Sequence, residues 1–154
     1  FMSDTLTHIA IADLCGKAVS SLKKPLLAFL IGLLSHGVLD VTDNDYTLNI
    51  SSYEAFKKDT DYVCLQVSGI CYKVYDIFSD QDRNRFNCRL AAVLGSLTPD
   101  LIDGFYIYLY PEKWHSGQLL FPFHKPVSIF KQQTKSISML KTTMITIASV
   151  QINF

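Results

Sequence analysis

Between Lys24 and Asp40 lie fifteen consecutive residues, Pro25 to Leu39, with no Asp, Glu, Lys or Arg among them. A run this apolar must leave water over most of its circumference, so the fold has to supply neighbours on nearly every side of it. It falls short of the ~20 residues of a spanning helix, and it contains His36, so a buried central helix is favoured over a membrane span. A peripheral or re-entrant association with a membrane stays open beside it, because the run is apolar almost all round. At 154 residues the chain suits one core, and a single domain over 1–154 is expected.

Charge narrows the function classes. Fourteen Lys and Arg balance fourteen Asp and Glu, and charged residues make up only 18% against 49% hydrophobic. That balance excludes a disordered chain and a protein that binds nucleic acid through the phosphate backbone, so no nucleic-acid partner is expected. The acids are lopsided, with twelve Asp against two Glu. Asp competes for local backbone hydrogen bonds and so belongs at caps and turns, with a minority left for oxygen ligation of a metal. Cys15, Cys64, Cys71 and Cys88 form no Cys-x-x-Cys pair and read as reduced, mostly buried small apolar residues in a reducing compartment such as the cytoplasm. Phe1 to His8 lack the basic flank and apolar stretch of a signal peptide.

Periodicity is helical along most of the chain. Ile11, Leu14 or Cys15, Ala18 and Leu22 share one face of a first helix over about Leu6 to Leu22. Pro25 suits a first helical position and opens the central helix, which runs to Asp40 and exits through Asp43, Asn44 and Asp45. Ser51 and Glu54 have capping-box spacing, followed by the stripe Val63, Val67, Ile70, Val74 and Ile77. Ser79 and Asp82 repeat the cap spacing ahead of Phe86, Leu90, Val93 and Leu94, and Pro99 opens a further turn or helix. The tail over 127–154, uncharged after Lys141, reads equally as a strand pair or a helix. The expected fold is mainly α, a single bundle wrapped around the apolar helix Pro25 to Asp40.

Candidate chemistry begins with His36-Gly37-Val38-Leu39-Asp40. Residues four apart on a helix share a face, so an imidazole and a carboxylate can reach one cation at a separation the helix fixes. A hydrogen bond between the two on the helix face is the plain structural reading. Two ionisable groups ending an uncharged helix cost several kcal/mol unless paired or metal-bound, which raises the interest of this pair. In Gly95 to Asp103, Asp100 would enter the first turn of a later helix with Asp103 one turn on. A dipole-stabilised Asp is its structural reading, and a metal ligand its functional one. Thr7 can cap the first helix with His8 facing inward, while His115 and His124 lie in an aromatic loop from Trp114 to Lys125.

Thr7-His8, Leu-Leu-Ser-His-x-x-x-Asp over Leu33 to Asp40, and Gly-x-x-x-Pro-Asp over Gly95 to Asp100 together resemble the small helical proteins related to zinc-dependent phospholipase C. The related membrane-bound metal-dependent hydrolases share these signatures. The resemblance implies that His8, His36, Asp40 and Asp100 are metal ligands, with His115 or His124 as further ones. The Pro-Asp element here follows the His-x-x-x-Asp helix instead of preceding it, and the phospholipase's later His-x-x-x-Glu pair has no counterpart, which points to one or two zinc ions. The implied activity is metal-dependent hydrolysis of a small-molecule or lipid phosphoester, with Asp103 receiving the proton from water. The alternative is a non-catalytic helical binding or membrane-surface module with a degenerate metal centre. The functional reading requires His8, His36, Asp40 and Asp100 to converge at one end of the bundle, with His115 closing the rim.

Overall fold

A computed structural model describes residues 5–42, 53–110, 120–121 and 135–152. Its elements are helices: α1 (Thr5–Val19), a 3-10 turn (Ser20–Leu22), α2 (Pro25–Thr42), α3 (Tyr53–Lys58), α4 (Thr60–Phe78), α5 (Arg83–Leu109) and α6 (Lys135–Gln151). The helices pack on one another as an all-α bundle, as the periodicity predicts. Within the tail left open between strand and helix, 135–151 is helical.

The helix at the centre is α1, not α2. Leu6 to Ala10, Ala12, Asp13, Gly16 and Lys17 are buried, and α1 meets α2, α4, α5 and α6. On α2 the buried positions are Ala28, Gly32 and His36, one narrow stripe, while Leu26 and Leu34 are 73% and 67% exposed. The expectation that α2 is wrapped on every side therefore fails. Its small residues face α5 and its large ones face outward.

Several local expectations are revised. Lys23 adopts a left-handed conformation (φ 53) after the 3-10 turn, and Pro25 then starts α2 where its missing N–H costs nothing. The N-cap of α5 is Asp82 itself, whose Oδ1 accepts from the N–H groups of Asn84 and Arg85 at 2.9 and 3.1 Å, so the Ser79–Asp82 capping box is not the device used. Thr7 lies inside α1 and meets Thr142 of α6 at 3.2 Å between hydroxyls, so it is no cap. Pro99 does not open a new helix. It lies within α5, where the Thr98 hydroxyl donates to Leu94 O at 2.7 Å and packing on α2 holds the helix through the lost backbone bond. Ser51 of the other proposed box and the exit residues Asp43, Asn44 and Asp45 lie outside the described residues.

Two constraints fix the helices. At the α2/α5 crossing, a Cβ added at Gly32 would stand 1.9 Å from Ala92 O, and one at Gly95 would stand 2.1 Å from Phe29 O. Backbone meets backbone there, which only glycine permits. The second constraint is a buried ion network that the apolar periodicity gave no hint of. Asp13 on α1 accepts from Lys73 of α4 and, at 2.6 and 3.2 Å, from Arg89 of α5. Lys73 also donates to Ser149 Oγ of α6 at 3.0 Å, and Lys17 donates to Ser149 O at 2.6 Å. Arg89 reaches on to Asp76 and, at 2.9 Å, to Asp80, which Arg85 grips with two further bonds. Four helices are thereby pinned in rotation, since each donor is engaged by acceptors from a different element.

Gly32→Ala is expected to push α2 off α5 and cost about 1–3 kcal/mol, read as a lowered melting temperature. At Asp80, burial pushes the carboxyl pKa up, but hydrogen bonds from Arg85 and Arg89 outweigh it and hold the value at about 2. The folded value lies below the unfolded one, so the stabilisation is complete above pH ~4 and disappears as pH falls toward 2. The melting-temperature gap between the natural chain and Asp80→Asn should accordingly be constant from pH 5 to 7 and narrow on acidification below 4.

Candidate metal centre

Three polar side chains meet where the start of α1 lies beside the end of α2. α1 runs antiparallel to α5, with Gly16 against Arg89 and Cys88, which brings the first turns of α1 toward the later half of α5. His8 is the fourth residue of α1 and points into the bundle, and His36 and Asp40 sit one turn apart on α2. The small stripe Ala28, Gly32, His36 is the same one that meets α5, so the close crossing that seats α2 also carries His36 into the interior.

The Asp40 carboxylate bridges the two imidazoles. His8 Nε2 lies 3.2 Å from Asp40 Oδ1, and His36 Nε2 lies 3.0 Å from Asp40 Oδ2. The two rings stack with centroids 4.6 Å apart and planes 28° from parallel. His8 and His36 side chains are 3% and 1% exposed, and Asp40 is 11% exposed. One ligand atom from each of the three lies within 4.8 Å of the others. Tetrahedral donors at ~2.0–2.2 Å from zinc stand about 3.3–3.6 Å apart. The two nitrogen–oxygen separations are close to this but run to different carboxylate oxygens, and the three-atom set reaches up to 4.8 Å, so side-chain adjustment of about an ångström would bring the donors onto one ion. The donor set of two imidazoles and one carboxylate is one that zinc accepts.

Asp100 completes the group on its solvent side. Its Oδ1 stands 3.9 Å from His36 Nε2, and its side chain is 38% exposed. The sequence placed Asp100 in the first turn of a helix. It sits instead in the eighteenth position of α5, far from any N-terminal dipole, so helix-end stabilisation does not account for it. Asp103 is different. It is fully buried, with Oδ1 accepting from Leu120 N at 2.9 Å and Oδ2 from Phe121 N at 3.4 Å. Both oxygens hold the 120–121 backbone against α5, which corrects the reading of Asp103 as the proton acceptor. His115 and His124 lie outside the described residues.

The ion network of Asp13, Lys73 and Arg89 was missed from the sequence because its members are spread over three helices with no shared spacing. Periodicity also pointed the wrong way: Asp13 and Lys17, four apart, lie with Ile9 on the buried face of α1, while the expected inner face of Ile11, Leu14 or Cys15, Ala18 and Leu22 is half-buried to exposed.

Comparison with protein families, with curated proteins and with solved structures finds no match to this chain. What the site can do therefore rests on its own geometry.

Elemental analysis of protein purified without a metal-affinity tag is expected to give about one zinc per chain, the number a His, His, Asp donor set holds. His36→Ala and Asp40→Ala should each abolish it while leaving far-UV circular dichroism helical.

Proposed function

We propose that the chain is a metal-dependent hydrolase, with a phosphoester, small-molecule or lipid, as its substrate class. The observation that carries this reading is the meeting of His8, His36 and Asp40, drawn from two helices and 32 residues apart at the extremes, with Asp100 of a third helix beside them. The two buried imidazoles already face one carboxylate, and a cation would give all three a common partner from a donor set that zinc accepts. The resemblance of the Thr-His, His-x-x-x-Asp and Pro-Asp segments to zinc-dependent phospholipase C supports the same choice.

His8, His36 and Asp40 would hold the ion, three protein donors of the kind that leave a fourth position open in catalytic sites. A divalent cation bound there supplies Lewis acidity toward an ester oxygen and lowers the pKa of a water toward ~7. Asp40 orients both imidazoles, since each of its oxygens faces one Nε2. Asp100 is the member of the group most open to solvent and the one placed to accept a proton from water entering at that side. Asp103 keeps the 120–121 segment in place beside it, a positioning role.

A chromogenic phosphodiester should be hydrolysed, and chelation should stop the reaction until zinc is returned. Asp100→Asn should keep the metal and lose about 100-fold or more in turnover, the usual share of a general base. Hydrolysis that persists unchanged after chelation would remove the proposal. Bound zinc with no turnover on phosphodiesters would leave a structural ion in a non-catalytic module.

A further inference from the structure

The burial pattern of the bundle is inverted. On α6 the buried residues are Ser138, Thr142 and Ser149, and the exposed ones include Ile137, Leu140, Met144 and Ile147. On α4, Gln66 and Lys73 are buried with Tyr62 and Ile77 at either end of the same face, while Val67, Val74 and Phe78 are exposed. On α2 the stripe Leu26, Leu30, Leu34, Val38 faces out and the stripe Ala28, Gly32, His36 faces in. A helix folding in water turns its apolar face to the core. These helices do the reverse.

The charges make the pattern quantitative. Between Pro25 and Val41 of α2, Tyr62 and Phe78 of α4, Phe86 and Leu109 of α5, and Ser136 and Gln151 of α6, the charged residues are buried or half-buried, the half-buried ones being Asp76, Asp100 and Lys141 together with Asp40 of the candidate centre. Among the described residues, exposed charges stand beyond those bands, as Lys23 and Lys24 before α2, Asp61 opening α4, Asp82 and Arg83 at the start of α5, and Glu54, Lys57 and Lys58 in α3. At 1.5 Å per residue the shorter bands measure roughly 24–26 Å, near the ~30 Å of a bilayer's hydrocarbon. Exposed tyrosines lie near the band edges, Tyr75 toward the end of α4 and Tyr108 and Tyr110 at the end of α5, where amphipathic rings meet headgroups, while Tyr72 lies mid-band. The Lys24 backbone meets Cys88 near the start of α5, so Lys23, Lys24 and Arg83, with Asp82 as the one exposed acid among them, lie toward one edge as a net cationic rim complementary to lipid phosphate.

We propose that the medium surrounding this bundle is a lipid bilayer, with the outer faces of α2, α4, α5 and α6 against acyl chains. The inference is independent of the metal reading. Another protein would cover one side, whereas the apolar bands lie on four helices arranged around α1, whose own exposed surface is limited to Ala18. The interior fits the same medium. Without a hydrophobic drive between helices, association relies on small residues and internal polar bonds, here the Gly32 and Gly95 contacts and the Asp13, Lys73 and Arg89 network. α5, at 27 residues, is the helix among the described residues long and apolar enough to cross unaided, and only 33% of its most apolar stretch is buried. The expectation that the apolar run forms a water-shielded core helix gives way to this one.

The chain supplies its own probes, because Cys64 and Cys71 are exposed on the outer face of α4 inside the band. The full chain should sediment with membranes, resist alkaline carbonate, and be released by dodecyl maltoside. In membranes opened to both sides, a water-soluble maleimide should leave Cys64 and Cys71 unmodified until detergent denaturation, while Ser21→Cys at the cationic rim reacts at once. Leu140→Lys should lower the membrane-integrated yield several-fold. Release by carbonate would overturn the proposal, as would reaction of Cys64 and Cys71 at the rate of the rim cysteine. A carbonate-soluble oligomer with both cysteines protected would overturn it too, by making these faces interfaces between copies of the chain.

Discussion

The arrangement depends first on how closely α2 and α5 approach. Gly32 lies on the backbone of Ala92 and Gly95 on that of Phe29, so the helix axes are nearer than any side chain would allow. That closeness has a direct chemical consequence. Along α2 the stripe that starts at Ala28 and Gly32 reaches His36 one turn later and Asp40 after that, so the same rotation that lets the backbones touch aims these two groups at the interior. Asp100 on α5 is brought to 3.9 Å from His36 by the same crossing. The geometry of the candidate centre is thus a by-product of glycine placement four to eight residues away.

The ion network secures the other end of the bundle. Asp13 of α1 is shared between Lys73 and Arg89, and Lys17 one turn on ties the last carbonyls of α6. Cations beside a helix C-terminus also offset its partial negative charge. Removing one member of such a network leaves the others buried without their counter-charge, which is why it specifies one packing so strongly. Because α1 carries both Asp13 and His8, rotation of α1 about its axis is set by the network and inherited by the imidazole.

Helix content was legible in the sequence, and the physical reasons are plain. Pro25 announced α2, and the three-four spacing of Val63 to Ile77 announced α4. His8, His36, Asp40 and Asp100 were each marked as chemically interesting, and the structure brings them together. What the sequence misplaced were the consequences of tertiary context. Pro99 read as a helix start because proline removes a backbone bond, and only the packing of α5 on α2 shows that the helix survives it. Asp103 read as a free carboxylate because its partners, the N–H groups of Leu120 and Phe121, belong to a segment with no periodicity of its own.

The proposed lipid surround turns on which face of each helix is taken as the outer one. Periodicity reports that a helix has two unlike faces, and the direction in which each one points is supplied by an assumption about the solvent. On α6 the assumption of water would bury Leu140 and Met144 and expose Thr142 and Ser149, yet Thr142 meets Thr7 and Ser149 accepts from Lys73 and Lys17 in the interior. A polar face can be the inner one only when it finds partners there, and α1 supplies them at Thr7, Asp13 and Lys17. Under the proposed lipid surround, the low charge content, the shared small-residue crossing and the polar interior share a single cause. Where the surroundings cannot hydrogen-bond, polar groups must satisfy one another inside, and a bundle that gathers His8, His36 and Asp40 at its heart is one that has already turned its chemistry inward.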